Sequence, residues 1–134
     1  MLEHQLIQST GFRNFGSVGA REGFAVRLRV PNYHGTRLSN FDGFNVTVDG
    51  ELFSYEKNRF AIRSEVYTLA ELREQTKARW GMFEHGSVLV DKPGGLSAGI
   101  HKVEVLARIR YSYFPPDVHI FTMHAERLAT IVMP

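Results

Sequence analysis

The amino-acid sequence predicts an all-β fold: an antiparallel β-sandwich of about eight strands with one short helix, in a single domain over residues 1–134. Three observations carry this. The stretch leading to Tyr113 alternates with period two. Val103, Val105, Ala107, Ile109, Tyr111 and Tyr113 share one face, and Lys102, Glu104, Arg108, Arg110 and Ser112 fall mostly on the other. That is a long strand with one dry side and one wet side. Turn chemistry separates the apolar runs, above all Asp49-Gly50 and Lys92-Pro-Gly-Gly-Leu96. One stretch alone, opened by Thr68, carries a credible helix start.

The elements follow in order. Residues 4–10 (His-Gln-Leu-Ile-Gln-Ser-Thr) read as a first short strand ended by Gly11. Phe24, Val26, Leu28 and Val30 alternate with Ala25, Arg27 and Arg29 in a second, which Pro31 stops because proline cannot donate to a ladder. The connection from Asn32 to Gly43 has no apolar period of its own. Phe44, Val46 and Val48 form the inward face of a third strand, and Asp49-Gly50 turns the chain back into a fourth over Glu51 to Ser54. Phe60 and Ile62 mark a fifth. Thr68 with Glu71 three residues later makes a capping box, with Leu69, Leu72 and Thr76 on one helix face and Trp80 and Phe83 pinning the helix to the sheet. Gly86 to Asp91 is a sixth strand, the long alternating one follows, Pro115-Pro116 ends it, and residues 124–132 supply the last.

A chain of 134 residues buries roughly two thirds of its unfolded surface without staples. Cysteine is absent, so no disulfide framework or thiolate metal site is available. The start Met1-Leu-Glu-His-Gln has no basic segment followed by an apolar run, and no apolar stretch approaches a membrane span, so the expected location is cytoplasmic without membrane association. Asn45-Val46-Thr47 matches a glycosylation acceptor but reads better as a strand with its polar residues in water. The net charge of +2 comes from interspersed ions, so Arg27 with Arg29 and Arg108 with Arg110 read as solvated strand faces, not a nucleic-acid stripe.

The residues offer no self-sufficient catalytic set. Among His4, His34, His85, His101, His119 and His124, a metal site needs convergence, and His101 with Glu104 lies on opposite strand faces. No His-Glu-x-x-His motif occurs. Asp42, Asp49, Glu51, Glu56 and Asp117 sit in or beside turns, where carboxylates more often form hydrogen-bonded turns than acid–base pairs. Gly94-Gly95 lacks the Gly-Lys-Ser/Thr of a phosphate loop, and no serine sits in a nucleophile elbow. Tyr33, Phe41, Tyr113, Phe114 and Phe121 lie in or next to long connections, where they suit either a protein interface or sugar platform, or local packing on the sandwich end.

Several segments together form a pattern. They are Gly11-Phe-Arg-Asn14, Phe24-Ala-Val-Arg-Leu-Arg-Val-Pro-Asn-Tyr-His-Gly35, Gly43-Phe-Asn-Val-Thr-Val-Asp-Gly-Glu51, Tyr67-Thr-Leu-Ala-Glu-Leu72 with Trp80, Lys92-Pro-Gly-Gly-Leu96, His101-Lys-Val-Glu-Val105 and Tyr111-Ser-Tyr113. In this order and spacing the chain resembles the small β subunit of bacterial C-glycoside deglycosidases over nearly its whole length. The resemblance implies a heteromeric carbon–carbon lyase. It would cleave the bond between a sugar, already oxidised to a 3-ketone, and a polyphenol such as a flavonoid, by β-elimination. It also implies a larger α subunit with a sugar-isomerase-like barrel that carries the catalytic residues and a divalent metal, commonly manganese. This chain would then be a β-sandwich without catalytic or cofactor residues of its own. Its expected contacts with that partner are the connection Asn32 to Asp42 and the segment Phe114 to Phe121, with Tyr33, His34, Arg37, Phe41, Phe114, Pro115 and Phe121 as anchors. The other reading is a stand-alone β-sandwich module binding carbohydrate or another protein.

Overall fold

The computed structural model of the chain describes residues 6–29, 36–81, 84–114 and 117–134, with backbone alone at 111–114, 117–119 and 121. The described residues form eleven strands, one α-helix and one 3-10 turn (Leu38–Asn40): β1 (Arg13–Ser17), β2 (Ala20–Arg29), β3 (Thr36–Arg37), β4 (Phe41–Val48), β5 (Glu51–Phe53), β6 (Arg59–Ile62), β7 (Glu65–Tyr67), α1 (Leu69–Arg73), β8 (Arg79–Trp80), β9 (His85–Asp91), β10 (Gly99–Phe114) and β11 (Asp117–Ile131). They make a five-stranded sheet in the order β1-β2-β9-β6-β7 and a four-stranded sheet in the order β11-β10-β4-β5, every pairing antiparallel. A two-stranded sheet, β3-β8, stands apart.

The alternation read from the sequence explains the two layers. Val103, Val105, Ala107 and Ile109 are buried, while Lys102 on the opposite face is exposed. Phe44, Val46 and Val48 of β4 join them from one sheet; Phe24, Val26 and Leu28 of β2, Val88 and Val90 of β9, and Phe60 of β6 come from the other. The layers interlock through aromatic rings, Phe44 against Phe60 at 5.3 Å and Phe24 against Phe53 at 5.3 Å between centroids. Each fully buried ring of this size stabilises by about 1.5–3 kcal/mol over its exposed state. The Asp49-Gly50 hairpin forms as expected, with positive φ at both residues (49° and 89°), the type I′ pattern that matches strand twist.

The structure corrects two strand readings of the chain. The stretch 4–10 is not a strand over its described part: Ile7 makes a single bridge to Leu28, and the edge strand begins at Arg13. In β1 Gly16 interrupts the alternation, and a bulge between Phe15 and Gly16 breaks its register with β2. The last strand begins at Asp117, not at 124, because β11 pairs with β10 nearly along its whole length. The short strands β3, β7 and β8 carry two or three residues each, too few for any period to show. Phe83, expected beside Trp80, lies outside the described residues.

Candidate subunit interface

Both segments singled out as contact regions lead to the same end of the sandwich. Helix α1 starts with the expected capping box: the Glu71 N–H donates to Thr68 Oγ1, and the Thr68 N–H donates to Glu71 Oε1 at 2.9 Å. Its buried Leu72 fixes the helix to the core, and its last turn delivers Arg73 to the edge of β4. After it the chain runs antiparallel to the connection before β4, with Leu38 N–H donating to the Ala78 carbonyl at 2.9 Å and β3 pairing with β8. In that ladder Thr36 faces Trp80 and Arg37 faces Arg79.

Trp80 plugs the gap between the two sheets. Its ring lies 5.1 Å from Phe41 of the four-stranded sheet and 5.0 Å from Phe60 of the five-stranded one. Burial of an indole requires a partner for its N–H. Nε1 donates to the Glu84 carbonyl at 2.8 Å, and the Glu84 carboxylate accepts from the Gly81 N–H and pairs with Arg63. The Arg63 hydrogen bond, with help from Gly81, holds the Glu84 carboxyl below its usual range.

Beside the plug, β4 carries a bulge against β10. Phe41 pairs with Ile109 and Phe44 with Ala107, so Asp42 and Gly43 together oppose Arg108. The bulge keeps Phe41 and Phe44 on the core face and turns Asp42 towards Arg108. Gly43 has φ of 99°, and a Cβ there would meet the Tyr55 ring at 2.8 Å. Asp42 is buried yet fully engaged: Oδ1 accepts from Arg73 Nε at 2.6 Å and Oδ2 from an Arg108 guanidinium nitrogen at 3.1 Å. Burial alone raises its pKa, but the hydrogen bonds and charges of the two arginines outweigh that and hold the carboxyl below 3.8. The Arg108 guanidinium also lies over the Tyr55 ring, 4.1 Å from its centroid.

Past Ile109 β10 pairs with no described strand other than β11. Within the described backbone, β10 and β11 continue as a two-stranded ribbon in which Arg110 opposes Ile120, Tyr111 opposes His119 and Phe114 opposes Asp117. A lone two-stranded ribbon is marginal in water without a surface to pack on.

The anchors expected from the sequence separate on this framework. Arg37 is exposed on β3. Phe114 and Phe121 belong to the ribbon strands, Phe121 opposite Ile109. Tyr33, His34 and Pro115 lie outside the described residues. Phe41 is corrected: it is 1% exposed and stacks on Phe44 at 5.6 Å, so its aromatic ring belongs to the core and offers nothing to a partner. The cause is the bulge, which shifts the inward register of β4 by one residue, from position 42 that the alternation implies to Phe41.

The three histidine side chains among the described residues do not converge. His85 is exposed, His124 pairs loosely with Glu104 at 3.6 Å, and His101, buried on the dry face of β10, is held by Asp49 and the Ser97 carbonyl. The reading of all histidines as surface or strand-end groups therefore misplaced His101 as to burial, although its odd position beside Val103 and Val105 already put it on the core side. Among the described residues no three His, Asp or Glu side chains gather as metal ligands. No described helix is long and apolar enough to cross a membrane.

A family profile for the C-glycoside deglycosidase beta subunit matches residues 2–113. The chain is 34% identical over 118 residues to a C-glycoside deglycosidase beta subunit of Eubacterium cellulosolvens, covering 87% of this chain and 80% of that protein. It is 33% identical over 99 residues to a 3'-dehydrocarminate deglycosidase beta subunit of a Microbacterium species, covering 73% and 74%. A C-glycoside deglycosidase beta subunit of Arthrobacter globiformis is 32% identical over 93 residues, covering 69% and 70%. With a profile match over most of the chain and relatives above 30% identity, the chain belongs to the C-glycoside deglycosidase beta-subunit family.

Proposed function

We propose that this chain is the non-catalytic subunit of a heteromeric C-glycoside deglycosidase and docks onto a larger α subunit through the end of the sandwich that carries the β10–β11 ribbon and the β3–β8 sheet. The observation that supports this most directly is the projecting ribbon, an element whose two edges pair with no other strand among the described residues, on a chain of this family. The buried ionisable side chains support the division of labour. Asp42 is neutralised by two arginines and His101 is saturated at both ring nitrogens, so each is committed to holding the scaffold.

The reaction assigned to the complex is β-elimination from a 3-oxo-C-glycoside with a flavonoid or other polyphenol as aglycone. A base removes the proton at C2, acidified by the neighbouring ketone. The electron pair forms the C1–C2 double bond, and the aglycone carbon leaves C1 and takes a proton from an acid. The divalent metal of such a complex, manganese in this reading, belongs to the α subunit. The described side chains of this chain do not fit it, since their histidines and carboxylates are dispersed or already paired. The contribution of this chain is stabilisation of the partner.

Co-expression with an α subunit encoded beside it tests the assignment. The two chains should co-elute in size-exclusion chromatography, and cleavage of a 3-oxo-C-glucoside should require both. Activity of this chain alone, or full activity of the α subunit alone, would overturn it.

A further inference from the structure

Arg37 and Arg79 oppose each other directly in the β3–β8 ladder, both exposed. Directly opposed residues of an antiparallel pair share a face with Cβ atoms about 5 Å apart, and like charges placed so destabilise the pair. Three other arginines of this end are compensated: Arg73 and Arg108 by Asp42, Arg63 by Glu84. Neither Arg37 nor Arg79 has an ion-pair or hydrogen-bond partner among the described residues. The register is not accidental, because the neighbouring pair, Thr36 with Trp80, must place the indole in the core. A third cation at the same end is also incomplete: Arg29, the last residue of β2, has a buried Nε without an acceptor among the described residues.

We propose that Arg37 and Arg79 form a two-pronged carboxylate clamp that receives an acidic side chain, Asp or Glu, of the α subunit. This inference rests on the docking assignment above and gives that surface its chemistry. Two guanidinium-bearing side chains opposed on one strand face bring two sets of N–H donors within reach of a single carboxylate, which arginine binds through charge-assisted hydrogen bonds. An acid arriving between them removes the repulsion that the isolated subunit carries, so assembly gains from charge the fold itself leaves uncompensated. The clamp also sits at the sandwich end from which the β10–β11 ribbon projects, so one partner surface spans both.

The test uses full-length chain with full-length α subunit, comparing wild type, Arg37→Gln/Arg79→Gln, Arg37→Glu/Arg79→Glu, and Lys102→Gln as a control at the far end of β10. The isolated glutamine variant should melt no lower than wild type, because a like-charge pair has been removed. Its Kd for the α subunit should rise about tenfold, the glutamate variant should bind weaker still, and the salt dependence of assembly should flatten in both. Lys102→Gln should assemble as wild type does. If wild type assembles and both double variants match it in Kd and salt dependence, the clamp is wrong while the docking assignment stands. If wild type itself fails to assemble, the docking assignment falls and the clamp with it.

Discussion

His101 Nδ1 lies 2.6 Å from Asp49 Oδ2, tying the third residue of β10 to the turn between β4 and β5, while its Nε2 lies 2.7 Å from the Ser97 carbonyl oxygen. Both partners are acceptors, so only the imidazolium donates to both. Burial opposes that charge, but the bonds to Ser97 and Asp49 prevail and raise the imidazole pKa above its ordinary 6.5. In return the His101 hydrogen bond, followed by the Lys102 N–H, lowers the Asp49 carboxyl below 3.8.

The sign of the resulting pH dependence is fixed. A raised histidine pKa gives stability that is fully present below the unfolded value of 6.5 and is lost as pH rises through the folded value. The depressed Asp49 gives stability that is present above 3.8 and lost as pH falls through its folded value. The pair therefore contributes most between those limits. The melting temperature of the isolated chain should fall as pH rises above 6.5, and His101→Gln should flatten that limb. An identical slope in wild type and His101→Gln would contradict the assignment.

Asp42 supplies a separate acid limb. Its folded pKa is lowered, so its contribution is present above 3.8 and disappears as acid protonates it, releasing Arg73 and Arg108. Asp42→Asn should cost about 1–3 kcal/mol at neutral pH, the usual loss when one partner of a buried charged hydrogen bond is removed. Urea unfolding at neutral and at strongly acidic pH should show the gap between wild type and variant closing in acid.

The register of β10 is legible in the sequence from Lys102 to Ile109, with the side chains of Tyr111 and Tyr113 outside the described residues, and it makes a sharp contrast. Val105→Asp buries an unpaired charge at a fully buried position and should cost more than about 4 kcal/mol, leaving the chain unfolded or insoluble. Lys102→Asp, one face over and exposed, loses only a surface pairing with Glu126 and should stay within about 1 kcal/mol of wild type. Equal behaviour in denaturant titration would mean the register is wrong.

What the sequence displayed well were features encoded within one element: the alternation of β10, the Asp49-Gly50 hairpin, and the capping box at Thr68. Thr68→Ala should cost about 1 kcal/mol, read as a lower melting temperature. What it hid were features created between elements. The bulge that buries Phe41 exists only against Arg108, and β3 and β8 exist only as each other's partner. Phe41 drew attention as an aromatic in a long connection, but its ring completes the Trp80 plug. Phe41→Ala should therefore act on the fold first, at about 3–5 kcal/mol, whether or not a partner is present.

The ribbon should behave in the opposite way. Beyond Ile109 neither strand has another strand neighbour among the described residues, so the described core does not depend on it. Arg110 and Ile120 are directly paired, so a two-residue Asn-Gly turn joining them, in place of residues 111–119, closes the hairpin with a favoured type I′ geometry. The shortened chain should keep the melting temperature of the full chain. It should lose assembly with the α subunit, because apolar anchors at an interface centre commonly contribute about 2 kcal/mol or more each. Phe114→Ala, a milder change within the same ribbon, should weaken assembly in the same direction without moving monomer stability. A shortened chain that melts lower yet binds with full affinity would show that the ribbon serves the fold, and would remove it from the interface.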